Sequence, residues 1–129
     1  MPSTTNILIV EDNQIDVLLT SKLLKLIDKS VGVMHEENGK DALTYLEGNH
    51  QLINLIVLDL NMPVMNGIEF LKHRSNSDAL NKIPVAVLTS SMDERDIENC
   101  EKLNAKVYLE KPITLEKARD ILGLMAWIR

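Results

Sequence analysis

Polar side chains stand at or just past the ends of apolar runs at four places in this sequence. Glu11 and Asp12 follow Asn6 to Val10, Asp59 follows Leu55 to Leu58, Thr89 and Ser90 follow Val85 to Leu88, and Lys111-Pro112 follows Val107 to Leu109. A carboxylate placed straight after Leu55-Ile56-Val57-Leu58 needs partners wherever it is buried. Three carboxylates gathered at one place repel each other, and their pKa values rise unless a cation sits among them. A hard divalent ion answers that repulsion. Magnesium suits the set, because it takes oxygen ligands octahedrally and is held by one or two carboxylates plus a phosphate oxygen. Lys111 would add a fixed positive charge and Thr89 a hydroxyl donor, both suited to a phosphoryl oxygen. Asp59 is then the natural nucleophile.

Each piece taken singly has a plainer reading. Glu11-Asp12 ahead of a helix serves as a cap and first-turn charge, Thr89-Ser90-Ser91 as a helix cap, and Lys111-Pro112 as a turn. Gathered at one sheet edge, they exceed what capping requires. The other candidates stay plain. His35, His50 and His73 lack metal-ligand spacing to one another, and Cys100 reads as a small core hydrophobe. Met62, Met65 and Met92 read as soft packing near the rim, and Trp127 is open between core and exposed contact.

These groups can meet only if the apolar runs are strands of one sheet. The runs are continuous rather than alternating, which suits strands covered on both faces. Val31 to Glu36 is more polar and reads as a fifth, edge strand. Between the strands lie stretches of helical period. In the first, Ile15, Leu18, Leu19, Leu23 and Leu26 share a face, ending before Lys29-Ser30-Val31-Gly32. The second carries Ala42, Tyr45 and Leu46, bounded by Gly39 and Gly48. A short third runs from Gly67 to Arg74, with Ile68 and Leu71 inward. Ser91-Met92-Asp93-Glu94 has the capping-box pattern of a fourth, with Ile97, Cys100 and Leu103 as its inward stripe. The fifth starts at Thr114, its apolar face being Leu115, Ala118, Leu122 and Met125. Ser75 to Asn81 reads as a loop. Strands alternating with helices imply right-handed crossovers and a parallel sheet, an α/β fold of five strands and five helices. Ligands of such sheets bind at the carboxyl ends of the strands, where the polar groups stand.

At 129 residues, with 45% hydrophobic and 26% charged residues, the chain suits one globular domain spanning 1–129. A net charge of −5 without a basic run argues against direct nucleic-acid binding. A single Cys forms no internal disulfide, the N-terminus carries no leader pattern, and no apolar run approaches the ~20 residues of a membrane span. A cytoplasmic protein is expected.

The stretch Ile56-Val57-Leu58-Asp59-Leu60-Asn61-Met62-Pro63-Val64-Met65-Asn66-Gly67 closely resembles the phosphoacceptor signature of bacterial two-component response regulator receiver domains. The resemblance covers nearly the whole chain, and the spacings from Asp59 to Thr89 and to Lys111 match chemotaxis-type receivers without a gap. It implies a flavodoxin-like doubly wound sheet in the order 2-1-3-4-5. It also implies that Asp59 is the phosphorylation site, Asp12 a direct magnesium ligand, Glu11 an outer ligand acting through water, and Asn61 a backbone-carbonyl ligand. Thr89 would be the switch hydroxyl, Tyr108 the switch aromatic, and Lys111 the phosphate-pairing lysine, with a cis bond to Pro112. Glu11 stands where Asp is commoner, which lengthens one acidic arm, and Asn104 stands where many receivers have Gly, which suits a left-handed turn. Ile83 to Ser91, with Asp96-Ile97, is also similar to stand-alone regulators paired with phytochrome-type kinases. The implied partners are a sensor histidine kinase or histidine phosphotransfer protein and a downstream protein target; whether phosphorylation makes a homodimer is left open.

Two other functions compete with this. A magnesium phosphatase with an aspartyl nucleophile places a second Asp two residues on as general acid, and here that position is Asn61, which cannot donate such a proton. A pseudo-receiver acting as a constitutive binding module would lack part of the acidic set or the lysine, and this chain keeps them.

Overall fold

Pairing the apolar runs as parallel strands hides both of their faces, and the computed structural model of the chain is built that way. It describes residues 5–127, the side chains of 126 and 127 excepted, so the side chain of Trp127 lies outside the described residues. The strands are β1 (Asn6–Val10), β2 (Gly32–Glu36), β3 (Leu55–Leu58), β4 (Val85–Thr89) and β5 (Val107–Glu110). They form one parallel sheet in the order β2-β1-β3-β4-β5, with Leu8 opposite both Met34 and Ile56, and Val57 opposite Ala86. The helices are α1 (Gln14–Ile27), α2 (Gly39–Asn49), α3 (Gly67–Ser75), α4 (Asp78–Asn81), α5 (Glu94–Lys102) and α6 (Leu115–Gly123), with 3-10 turns at His50–Leu52 and Leu124–Trp127.

Successive strand residues point to opposite faces, and the core divides accordingly. Ile7, Ile9, Leu55, Val57, Ala86 and Leu88 pack against Leu24 of α1 and Ala118 and Ile121 of α6. Leu8, Val10, Ile56, Leu58, Val85 and Val87 pack against Ala42 and Leu46 of α2, Phe70 and Leu71 of α3 and Cys100 of α5. Most of these side chains are fully enclosed, and each such Leu or Ile contributes roughly 1.5–3 kcal/mol by leaving water.

The structure corrects the sequence reading at several places. Among the described residues there are six helices rather than five, because Ser75 to Asn81 is not a plain loop: the Ser77 side chain accepts from the Leu80 amide and starts α4. Gly48 does not end α2, which runs through it to Asn49. The cap of α5 is Asp93, accepting from the Arg95 amide, while Ser91 donates its hydroxyl to Asp96 Oδ2 at 2.6 Å. The largest difference lies in α1. Its inward residues are Val17, Thr20, Leu23 and Leu24, and Ile15 (70%), Leu18 (68%) and Leu26 (67%) are exposed. Apolar residues occur all round this helix, so periodicity alone could not select the buried stripe.

The end of the sheet away from the candidate site is tied by a buried arginine. Arg74, in the last turn of α3, is fully enclosed. Its Nε and Nη2 donate to the Ile83 carbonyl at 3.3 and 2.8 Å, Nη2 also to that of Asn81 at 3.3 Å, and Nη1 to that of Leu103 at 3.1 Å. Asn81 closes α4 and Leu103 caps α5, so the guanidinium sits at the negative ends of two helices. Burial pushes its pKa down to about 10, which leaves it charged at neutral pH. Replacing Arg74 by Met keeps an apolar stem and leaves those carbonyls without their donor. Unsatisfied buried acceptors cost about 1–3 kcal/mol each. Arg74→Met is therefore expected to lower the urea midpoint by the equivalent of about 3 kcal/mol, with an unchanged denaturant slope.

Candidate functional site

The carboxyl ends of β1, β3, β4 and β5 bring together the residues singled out in the sequence. Because β1 and β3 are neighbours, Glu11 and Asp12 meet Asp59: the Asp59 amide donates to the Val10 carbonyl at 3.0 Å, continuing the ladder past the last strand residue. Carboxylate oxygens of Glu11, Asp12 and Asp59 all lie within 4.8 Å of one another. Glu11 and Asp59 are buried and Asp12 is exposed. This all-oxygen donor set, gathered within the span of a single ion, fits a hard divalent cation.

Two local features hold Asp59 in place. The helix after it can begin so close only because residue 67 is Gly, since a Cβ there would lie 2.5 Å from the Asp59 carbonyl oxygen and 2.7 Å from Leu60 Cα. The Gly67 amide donates to the Leu60 carbonyl at 3.0 Å, and Asn66 caps α3 in a capping box with Glu69. Between them Val64, 75% exposed, holds a left-handed φ of 68°, a conformation costly for a β-branched side chain. Asn61 is exposed, and its amide donates a long 3.4 Å bond to Asp59 Oδ1.

Lys111 reaches this cluster from the end of β5, across β4. Its Nζ lies 2.6 Å from Glu11 Oε1, 2.8 Å from Asp16 Oδ2 and 3.2 Å from Asp59 Oδ2. Burial works against its charge. Hydrogen bonds to Asp16 and Glu11, with the attraction of Asp59, outweigh that and hold the ammonium above its ordinary pKa. The Lys111–Pro112 peptide bond is cis, as the resemblance implied, and Asn104 takes the left-handed φ of 68°. Asp16 was missed in the sequence. An acid in a first helical turn is ordinary, and nothing in the spacing marks it as a partner of a residue 95 positions away.

Thr89 is fully buried, and its Oγ1 accepts from the Ser91 amide at 3.4 Å. The Ser91 carbonyl in turn accepts from the Tyr108 hydroxyl at 2.6 Å. Tyr108 is half-buried, and burial raises its pKa. Its ring therefore starts from an anchored position rather than a fully exposed one. The histidines bind no shared centre: His35 Nε2 donates to the Glu11 carbonyl at 2.7 Å, His50 Nδ1 to that of Leu46 at 3.2 Å, and His73 is exposed.

Comparison with known proteins agrees with this geometry. Residues 7–122 match the model of the response regulator receiver domain. The two-component response regulator ARR17 of Arabidopsis thaliana is 34% identical over 94% of this chain and 84% of its own length. Among solved structures, the phosphorylated cyanobacterial phytochrome response regulator RcpA superposes with a TM-score of 0.83 at 30% identity, covering 97% of this chain and 94% of that one. The Mn2+-bound form of response regulator Rcp1 superposes with a TM-score of 0.78 at 31% identity, covering 96% and 94%.

Burial, the largest cause, and the charge of Asp59 push the Glu11 pKa up to about 7, against the hydrogen bonds from Lys111 and Asn13. Its native carboxyl keeps a proton that the unfolded one releases near 4.5, so this group's contribution to stability falls as pH rises from 4.5 through about 7. A divalent cation binds the ionised form and must displace that proton. Magnesium affinity is therefore expected to rise up to about tenfold per pH unit below 7 and to level off above it. Calorimetry in two buffers of different ionisation enthalpy checks this, and Glu11→Gln should flatten the slope.

Proposed function

We propose, on the premise that this chain belongs to the response regulator receiver domain family of two-component signalling, that Asp59 is its phosphoacceptor and that the receiver accounts for the whole of residues 1–129. The observation that carries the reading is the Lys111 ammonium lying against the buried Asp59 carboxylate, in a cluster of oxygen donors that fits one divalent cation. A carboxylate oxygen of Asp59 attacks the phosphorus of a phosphohistidine. The phosphorus–nitrogen bond breaks as the phosphorus–oxygen bond of an aspartyl phosphate forms, and the electron pair leaves with the imidazole, which takes up a proton. Lys111 pairs with a phosphoryl oxygen and Thr89 offers its hydroxyl to another. Asp12, Asp59 and the Asn61 backbone carbonyl would hold magnesium directly and Glu11 through water. When bound, the ion neutralises charge on the transferring phosphoryl group. The Mn2+-bound Rcp1 structure supports a divalent site in this fold.

The chain acts as a switch rather than as an enzyme turning over a free substrate. Asn61 stands where an aspartyl phosphatase would need an acid. The donor is a sensor histidine kinase or histidine phosphotransfer protein, and its docking surface includes the exposed Ile15 and Leu18, in the first turns of α1 beside the pocket mouth. No described helix is long and apolar enough to cross a membrane, and a cytoplasmic place suits both the donor and the single buried cysteine. Output runs through a downstream protein target. Homodimerisation on phosphorylation would use the same altered face.

That face is reached by a chain of hydrogen bonds. Thr89 Oγ1 accepts from the Ser91 amide, and the Ser91 carbonyl accepts from Tyr108. A phosphoryl group that draws Thr89 inward takes away the acceptor of Ser91, moves the loop before α5 and with it the acceptor of Tyr108. The surface of α5, β5 and α6 changes, as a population shift toward a state the phosphoryl group favours.

Intact mass after incubation with a small phosphodonor and magnesium is expected to rise by one phosphoryl group. Neither Asp59→Asn nor the parent with chelator should gain it, and a label surviving in Asp59→Asn would sink the assignment. Thr89→Ala should still take the label while transmitting it poorly. Amide shifts across residues 92–125 on adding beryllofluoride should shrink to a small fraction of the parent's; parent-sized shifts would rule out this route.

A further inference from the structure

One carboxylate of the site has no part in the chemistry just described. Asp16 stands in the first turn of α1, which Asn13 caps by accepting from the amides of residues 15 and 16. The Lys111 ammonium is closer to Asp16 Oδ2, at 2.8 Å, than to Asp59 Oδ2, at 3.2 Å. An ammonium has three donors. Asp16 and Asp59 each accept a hydrogen bond from it and Glu11 is ion-paired to it at 2.6 Å, so a phosphoryl oxygen arriving on Asp59 competes with these partners for the ammonium. Asp16 is the partner that can be released most cheaply. Its side chain is 29% exposed, against 5% for Glu11 and for Asp59, so water can take over its hydrogen bond.

The geometry points to Asp16 as a positioning residue for phosphoryl binding, one that holds Lys111 between α1 and β3 in the unphosphorylated protein and competes with the phosphoryl group for it. The inference rests on Asp59 being the phosphoacceptor. Two effects follow, and they have the same sign. Asp16 occupies a donor that the phosphoryl group needs, and its negative charge reduces the positive field at the place where phosphoryl charge arrives. The contact also ties α1 to the state of Asp59. When Lys111 turns to the phosphoryl group the first turn of α1, with the exposed Ile15 beside Asp16, loses its link to β5, and the donor surface differs before and after transfer.

The plainer role for Asp16 is a favourable charge at a helix start. That role would affect stability alone and would not reach the phosphoryl site. Asp41, in the first turn of α2 and bonded to Asn38, is a matched control, because it has that role without touching Lys111.

The experiment titrates beryllofluoride at saturating magnesium into the parent, Asp16→Asn, Asp16→Glu and Asp41→Asn, and records the Lys111 side-chain ammonium resonance before and after. Asp16→Asn is expected to bind roughly fivefold tighter than the parent, a size drawn from part-exposed ion pairs. Its Lys111 resonance should already be displaced before beryllofluoride is added. Asp16→Glu, which keeps the charge, should return toward the parent, and Asp41→Asn should match the parent in both readouts. Binding by Asp16→Asn equal to or weaker than the parent's, or an unmoved Lys111 resonance, would overturn the proposal and leave Asp59 as acceptor. A parent that binds no beryllofluoride would instead overturn the Asp59 reading, and this inference with it.

Discussion

Lys111 Nζ lies within 3.2 Å of three carboxylates, and much of the molecule is arranged so that this contact can exist. Glu11 and Asp59 are buried side by side, which costs heavily for ionised groups unless positive charge stands among them. One ammonium supplies part of that charge, and a divalent cation within reach of Glu11, Asp12 and Asp59 would supply the rest. The strand order is what lets these groups meet. Placing β1 beside β3 brings the acids together, and placing β5 beyond β4 sets the lysine at the length of its own side chain from Asp59.

A second buried cation makes the contrast instructive. Arg74 is as enclosed as any residue in the protein, yet its partners are carbonyl groups at the ends of α4, α5 and the approach to β4. Backbone carbonyls cannot leave without moving the segments that carry them, so that clamp is tied to the fold itself. The partners of Lys111 are side chains on separate elements, and the part-exposed Asp16 is the one that water can most readily replace. One end of the sheet is thus braced, while the other keeps its charge pairs exchangeable. The Thr89, Ser91 and Tyr108 contacts belong to the exchangeable end.

Exposed Ile15, Leu18 and Leu26 on α1 contribute nothing to the core. Such a row, on a helix whose first turn carries Asp16 against Lys111, is suited to partner contact. Fold and site therefore meet in α1: its Val17, Thr20 and Leu24 pack inward, its first turn holds Asp16 against Lys111, and its outer face stays apolar.

The sequence by itself determined the strands, the sheet class, and the acids, hydroxyl and lysine at the strand ends. Apolar runs of strand length can be satisfied only in a two-sided sheet, and polar residues directly after them must then share its carboxyl edge. Local chemistry was equally legible at Thr114, which caps α6, and at Asn104, which takes the left-handed turn. Other features depended on what each surface packs against. A helix apolar on every side gave no means of telling that Leu24 would be buried and Leu18 left in water. Arg74 looked like an ordinary last-turn charge until α4, α5 and β4 closed around it. Asp16 looked like an ordinary first-turn acid until β5 brought Lys111 to it. Periodicity records which side chains are apolar, and capping records what a helix end needs. Partners far apart in sequence are decided by the packing of whole elements, and no local pattern encodes them.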